Sequence, residues 1–112
     1  MGCDIHAFPE YRDGDEWVSF GEVDLWRNYH IFYALAGVRG PFDGIVPLEP
    51  RGLPDDADFR VRDEWSEDGH TPSWVTTDEF AACIIPGNED YAALLAAMRV
   101  FDEARLVFWF DN

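Results

Sequence analysis

The sequence lacks lysine, and its eight basic residues stand against 23 Asp and Glu, which gives a formal net charge of −15. Because so acidic a surface repels a phosphate backbone, the shortage of positive charge argues against direct nucleic-acid binding. The acidity is typical of a solubilising surface, or of a protein from a salt-adapted or acid-biased host. Alternatively, the carboxylates imitate phosphates, and the protein is a decoy that binds a host nucleic-acid enzyme.

Cysteine and histidine are also scarce, with two and three residues. Cys3 and Cys83 are too few for a disulfide framework, which indicates a reducing compartment. Phosphate-loop, dinucleotide-binding and paired-cysteine signatures are absent, which argues against nucleotide hydrolysis, Rossmann redox chemistry and structural zinc. No apolar run approaches the ~20 residues of a membrane helix and no leader pattern opens the chain, so we expect a cytoplasmic protein with no membrane partner.

Apolar residues, in contrast, are plentiful: 47% of the chain is hydrophobic and 16% is aromatic. This composition favours a folded domain over disorder, and the length predicts one globular domain over residues 1–112. The order of the predicted elements is strand, strand, helix, loop, helices, strand. We therefore predict an α+β fold, in which three to four short helices pack on a small mixed or antiparallel sheet.

The predicted sheet consists of an N-terminal hairpin and a C-terminal strand. Residues 3–11 alternate between apolar and polar, although Pro9 is expected to end this strand early. A turn at 13–15 and a second strand at 17–20 complete the hairpin. Residues 105–110 are apolar without alternation, which is typical of a strand buried on both faces and predicts a central position beside the first strand.

A short buried helix is predicted within residues 27–39. Asn28 is a suitable N-cap, and Gly37 supplies the left-handed residue that ends many helices. One apolar face is expected to be buried, formed by Ile31, Phe32, Leu35 and Ala36.

Three further helices are predicted, at 55–65, 77–85 and 88–104. Thr76 and Glu79 have the spacing of a capping box for the second of these, and Asn88 is a candidate cap for the third. The segments 40–54 and 67–74 are predicted to be irregular. Long irregular segments in small domains often carry function.

The start of the first helix and the two irregular segments hold the residue types that bind a phosphorylated, base-containing small molecule. Arginine forks bind phosphate, aromatic rings stack on a base, and short polar side chains orient the ligand. The alternative is that the arginines pair with the chain's many carboxylates. The candidate ligand-binding residues are Arg27, Asn28, Tyr29, Arg51, His70, Ser73 and Trp74.

Asp4 and His6 are a second candidate site, for a metal ion. Two residues apart on a strand, they project to one face, and with His70 or Asp68 they suggest a small Zn- or Mn-dependent hydrolase or phosphoesterase. The alternative is that His6 hydrogen-bonds within the sheet and Asp4 pairs with an arginine. Cys3 is likewise either a nucleophile with a histidine base or a small buried hydrophobe.

Several short motifs resemble a family of small proteins encoded by tailed bacteriophages and prophages. They are Met-Gly-Cys-Asp-Ile-His at 1–6, Arg-Asn-Tyr at 27–29, Leu-Ala-Gly-Val-Arg at 35–39, Arg-Gly-Leu-Pro at 51–54, and a segment ending in Ser-Trp at 68–74. The similarity runs nearly end to end and departs at Pro9 and at Thr71, where Ser is expected. It implies a phage origin and a location in the host cytoplasm.

This resemblance implies no activity, but its context favours a non-catalytic role. Some small phage proteins sequester nucleotide-derived second messengers of host immunity, usually as symmetric oligomers with pockets between subunits. We therefore expect a homo-oligomeric counter-defence protein that binds a nucleotide-like small molecule and needs no cofactor.

Overall fold

The structure is a computed structural model that describes residues 2–112; Met1, the first residue of the N-terminal motif, lies outside the described residues. Within this range the chain forms four strands and four helices. In chain order they are β1 (Asp4–Asp13), β2 (Glu16–Ser19), α1 (Tyr29–Ala36), α2 (Phe59–Glu64), β3 (His70–Thr76), α3 (Thr77–Cys83), α4 (Glu89–Met98) and β4 (Ala104–Asp111).

The strands form one antiparallel sheet in the order β2-β1-β4-β3. The α+β class is therefore confirmed, as is the N-terminal hairpin. β4 lies between β1 and β3, and Arg105 to Phe110 are all buried. The absence of alternation in β4 correctly predicted its central position, because both of its faces are covered.

Pro9 was predicted to end β1 early, but the strand continues to Asp13. Pro9 pairs with Leu106 of β4, and its carbonyl accepts a hydrogen bond from Phe20 N at 3.0 Å. The nitrogen and the carbonyl of one strand residue point to the same side, so the missing N–H faces β2 where the β1–β2 pairing ends at Glu10 and Ser19. The proline therefore costs no hydrogen bond to β4.

The prediction of an irregular segment at 67–74 was wrong at its C-terminal half, where β3 pairs with β4. The register shifts between His70 and Ser73, and Thr71 has a positive φ of 55°. This bulge and Pro72 disturb the alternation that identifies a strand from sequence. Both are tolerated because β3 is an edge strand.

α1 follows its prediction closely. The Asn28 side chain accepts a hydrogen bond from Ile31 N at 3.1 Å, and Gly37 ends the helix with φ of 74°. The buried residues are the four that the sequence predicted, Ile31, Phe32, Leu35 and Ala36.

The other helices are shorter than predicted. α3 has the predicted capping box of Thr76 and Glu79 but ends at Cys83, and α2 begins only at Phe59, where Asp58 is its N-cap. α4 ends at Met98, because the chain turns at 99–103 to enter β4. Asn88 makes no side-chain cap bond.

The two faces of the sheet have different coverings. One face, with Ile5, Leu106 and Phe108, packs in the main core with residues of α1, α3 and α4. The opposite face carries Phe8, Val107 and Trp109, which pack against Val61 of α2. On this second face, beyond the α2 cluster, the sheet presents charged and aromatic side chains, and the candidate site lies there.

Candidate functional site

Arg27 and Asn28 are engaged within the protein. The Arg27 guanidinium donates to both carboxylate oxygens of Asp4, at 2.6 and 3.2 Å, and both side chains are about half exposed. Asn28 uses its oxygen as the α1 cap and its amide to donate to Asn88 Oδ1 at 2.7 Å. Arg27 therefore lies beside the start of α1 with a carboxylate already bound to it.

Arg51, Ser73 and Trp74, three of the seven predicted ligand-binding residues, lie together. Arg51 donates through Nη1 and Nη2 to Glu79 at 2.7 and 2.6 Å, and Nη1 also donates to the Trp74 carbonyl. Its Cζ lies 4.5 Å from the centroid of the Trp74 ring. Arg51 N donates to Ser73 Oγ at 2.9 Å, and Ser73 is buried. Arg51 therefore holds Trp74 in position and has a carboxylate partner of its own.

Tyr29 contacts the chain just before β1, and His70 contacts the chain just after β4. The Tyr29 hydroxyl accepts a hydrogen bond from Cys3 N at 3.2 Å, and the Tyr29 ring is 5.5 Å from the Arg39 Cζ. His70 contacts Thr71 Oγ1 through Nδ1 and Asn112 Oδ1 through Nε2. Cys3 is fully buried, and burial raises the pKa of its thiol despite the opposing Arg39 hydrogen bond, which disfavours a nucleophile.

His6 lies between two carboxylates. Its Nδ1 is 2.8 Å from Glu22 Oε2 and its Nε2 is 2.5 Å from Asp111 Oδ2. Burial lowers the pKa of His6, but the hydrogen bonds to Asp111 and Glu22 outweigh it and the net shift is upward. Both ring nitrogens of His6 therefore already have a carboxylate partner. Among residues 2–112, no three His, Cys, Asp or Glu side chains are grouped to hold a metal ion.

The predicted ligand-binding residues therefore fall in separate places. Arg27 lines a cleft with Asp4, His6 and Trp26. Trp74 lines a different and larger cleft, whose lining includes neither Arg27 nor Arg51. This larger cleft, which we call the Arg105 cleft, has Trp17, Trp74 and Arg105 among its lining residues.

Arg105 is a buried arginine on the face of the sheet opposite the main core, with 5% of its surface exposed. It is the cross-strand partner of Glu10, and its Nε donates to Glu10 Oε1 at 2.7 Å. Its Nη1 lies 3.0 Å from Asp56 Oδ1. Its Nη2 is buried and has no hydrogen-bond partner within the described part of the chain. Buried polar atoms are nearly always hydrogen-bonded, so this nitrogen is an exception that calls for an explanation.

Two indole rings lie beside the Arg105 guanidinium. Its Cζ is 4.0 Å from the Trp17 centroid and 5.8 Å from the Trp74 centroid. Arg12, the cross-strand partner of Trp17, lies 5.3 Å from the same ring. The register of three strands, β2, β1 and β4, with Trp74 of β3 beside them, therefore assembles a cation between aromatic rings.

The Arg105 cleft has a volume of about 840 Å³. That volume falls in the range of small-molecule sites. Its charged lining combines three arginines with five carboxylates, namely Arg12, Arg99, Arg105, Asp55, Asp56, Asp78, Asp102 and Glu103. Of these residues Arg105 is buried, whereas Arg12, Arg99, Asp55 and Asp56 are exposed.

Trp74 was predicted from the sequence to be a ligand-binding residue, whereas Trp17 and Arg105 were not. The available signal was Arg105 itself, a charged residue at the start of an apolar run that was predicted to be buried on both faces. Such a residue requires a buried partner, and Glu10 in the first predicted strand was a candidate. The strand register determines which carboxylate pairs with Arg105 and which aromatic rings lie beside its guanidinium.

A search of protein-family models, curated proteins and solved structures gave no match to this chain. None of the helices within residues 2–112 has the length and apolar character needed to cross a membrane.

Proposed function

We propose that the protein binds a phosphorylated, nucleotide-derived small molecule in the Arg105 cleft. In this proposal the anionic group of the ligand lies against the Arg105 guanidinium, and its base stacks on Trp74. The protein acts by binding, without turnover.

The observation that carries the proposal is the Nη2 of Arg105, which is buried beside two indoles and has no hydrogen-bond partner among residues 2–112. An arginine with an open donor recognises phosphate or carboxylate oxygens, and an aromatic ring stacks on any base. Arg51 supports this arrangement indirectly, because its bonds to Glu79 and to the Trp74 carbonyl fix the edge of the cleft.

The acidic lining narrows the class of ligand. Five carboxylates repel a polyphosphate, so the favoured ligand carries few negative charges and places them at Arg105. Asp78, Asp102 and Glu103 accept hydrogen bonds from ribose hydroxyls or exocyclic amines. Nucleoside monophosphates, cyclic dinucleotides and cyclic adenosine-diphosphate-ribose isomers satisfy these conditions better than triphosphates.

The biological context of the proposal is a counter-defence sponge. In this role a phage-encoded protein, present in the host cytoplasm as a homo-oligomer, sequesters a second messenger of host immunity. This context depends on the resemblance of the motifs at 1–6, 27–29 and 35–39 to phage proteins.

Isothermal titration calorimetry against a panel of these nucleotides, with adenosine triphosphate included, tests the proposal directly. We expect at least one low-charge nucleotide to bind in the micromolar range and the triphosphate to bind more weakly. Absence of binding by every member of the panel at high micromolar concentration would overturn the proposal.

Two tryptophan variants locate the site. Trp74→Ala is expected to weaken binding by about 1–3 kcal/mol, the contribution of one base stacked on an aromatic ring. Trp26→Ala is the matched control, because Trp26 is 80% exposed and lines the other cleft, beside Arg27. Equal effects of the two variants would place the ligand outside the Arg105 cleft.

A further inference from the structure

The Arg105 guanidinium has three nitrogens, and their surroundings differ. Nε is bound by Glu10, Nη1 by Asp56, and Nη2 has no partner in the range 2–112. The Nη1 and Nη2 donors together form one edge of the fork that binds an oxyanion through two parallel hydrogen bonds. Asp56 uses only half of this edge.

Glu10 and Asp56 hold Arg105 in different ways. Glu10 is fully buried, and its second oxygen accepts a hydrogen bond from Asp58 N at 2.8 Å, so its position is fixed by packing and by two bonds. The Asp56 side chain is 63% exposed and reaches Arg105 through one contact of 3.0 Å. The contact with Asp56 therefore opens without unpacking the core.

The local backbone allows the Asp56 side chain to move while its neighbours stay in place. Asp55 and Asp56 form a turn closed by a hydrogen bond from Ala57 N to the Pro54 carbonyl at 3.2 Å. Ala57 is buried, and Asp58 is anchored by Glu10. A change of side-chain rotamer at Asp56 frees Nη1, the terminal nitrogen next to the open Nη2 donor.

We propose that Asp56 is an internal competitor for the Arg105 site, which an incoming oxyanion displaces to gain both Nη1 and Nη2. This inference depends on the proposed function only in that a ligand enters the Arg105 cleft. The chemical class it assigns is an oxyanion joined to a planar ring, either a phosphate monoester or a carboxylate. A ligand oxyanion also accepts a hydrogen bond from Nη2, which Asp56 does not contact. This additional hydrogen bond favours replacement of Asp56 by the ligand.

Two single variants of the same turn separate displacement from general repulsion. Asp56→Ala removes the competitor, whereas Asp55→Ala removes the same charge from the adjacent residue, which also lines the cleft. Binding of phenyl phosphate, benzoate and inorganic phosphate is measured by chemical-shift titration of the ¹⁵N-labelled protein, which detects millimolar affinities.

We expect Asp56→Ala to bind phenyl phosphate about tenfold more tightly than the wild type, and Asp55→Ala to stay within about threefold of it. Preference for phenyl phosphate or for benzoate identifies the oxyanion, and weaker binding of inorganic phosphate confirms the role of the ring. Equal gains in the two variants, no gain in Asp56→Ala, or no binding of any probe to Asp56→Ala would overturn the inference.

The outcomes also distinguish this inference from the proposed function. If Asp56→Ala gains affinity for phenyl phosphate but no nucleotide binds the wild type, the exchange stands and the nucleotide proposal fails. If a nucleotide binds wild type and Asp56→Ala equally, the reverse holds.

Discussion

Glu10 and Arg105 are two charged side chains that the fold buries almost completely, with 0% and 5% exposure. The pair connects the two central strands, and Glu10 also accepts a hydrogen bond from Asp58 N just before α2. Removing one member of a buried ion pair leaves the other charge uncompensated, which costs far more than loss of a surface pair.

We therefore expect Glu10→Ala to lower the free energy of unfolding by about 3–5 kcal/mol, measured by urea denaturation. Glu16→Ala on β2 is the matched control, since Glu16 is exposed. It is expected to cost under about 1 kcal/mol. If the two variants lost similar amounts of unfolding free energy, the buried Glu10–Arg105 pair would contribute no more to stability than an exposed carboxylate does.

The candidate site was only partly predictable at this scale. Trp74 was identified because it is an aromatic residue in a segment predicted to be irregular, and an aromatic ring offers a face on which a base stacks. Arg27 and Arg51 are residues of a type that binds phosphate, but both form ion pairs with carboxylates. In a chain with 23 acidic residues, the tertiary fold decides which arginines form such pairs. Arg105 and Glu10 are 95 residues apart, and only strand register brings them together.

At the scale of elements, the start of α3 is connected to the loop before α2. Glu79 closes the capping box by accepting a hydrogen bond from Thr76 N, and it also binds both terminal nitrogens of Arg51. The Arg51 hydrogen bond is the main cause that lowers the pKa of Glu79, to about 2. This carboxylate therefore joins α3 to the residues that hold Trp74.

Glu79→Gln tests this connection, because glutamine retains one acceptor oxygen for the capping box but loses the charge and one of the two oxygens that accept hydrogen bonds from Arg51. Since the pKa of Glu79 in the folded protein lies below its ordinary value of 4.5, the ionised Glu79 stabilises the protein above pH 4.5, and this contribution is lost as the pH falls toward 2. We expect Glu79→Gln to lose about 0.5–1 kcal/mol at pH 7 and to show a shallower loss of stability between pH 4.5 and 2, measured by urea denaturation.

Glu89→Gln is the control for this prediction, because Glu89 lies in the first turn of α4 and its substitution removes the same charge. It is expected to keep the acid dependence of the wild type. A Glu79→Gln profile that parallels the wild type over this range would show that the Arg51 pair does not stabilise the folded state.

Most elements of the fold were predictable where local signals agreed. Asn28, Gly37 and the four-residue apolar face specified α1, and the apolar run at 105–110 specified a central strand. β3 was missed because its bulge at Thr71 and its Pro72 remove the period-two pattern, and only pairing with β4 makes the segment a strand. α4 was predicted too long because Phe101 continues the helical spacing, although its ring stacks on Tyr11 of β1.

At the scale of the whole molecule, a formal net charge of −15 remains on 112 residues after each of the eight arginines is set against one of the 23 acidic side chains. Several pairs are present, such as Arg27–Asp4 and Arg51–Glu79, but with eight arginines against 23 acidic residues most carboxylates have no arginine to pair with. Self-repulsion of like charges destabilises a compact state relative to an expanded one.

Salt is therefore expected to stabilise this protein, although salt weakens individual surface ion pairs. Raising NaCl from 20 to 500 mM shortens the screening length to well below the molecular dimensions, and we expect the free energy of unfolding in urea to rise by about 1 kcal/mol or more. A triple variant, Asp43→Asn, Glu49→Gln and Glu67→Gln, removes three exposed charges. It is expected to be more stable than the wild type at low salt and to respond less to NaCl. A fall in wild-type stability with added salt would mean that attractive pairs outweigh repulsion, and that the acidic residues are arranged as partners for the arginines.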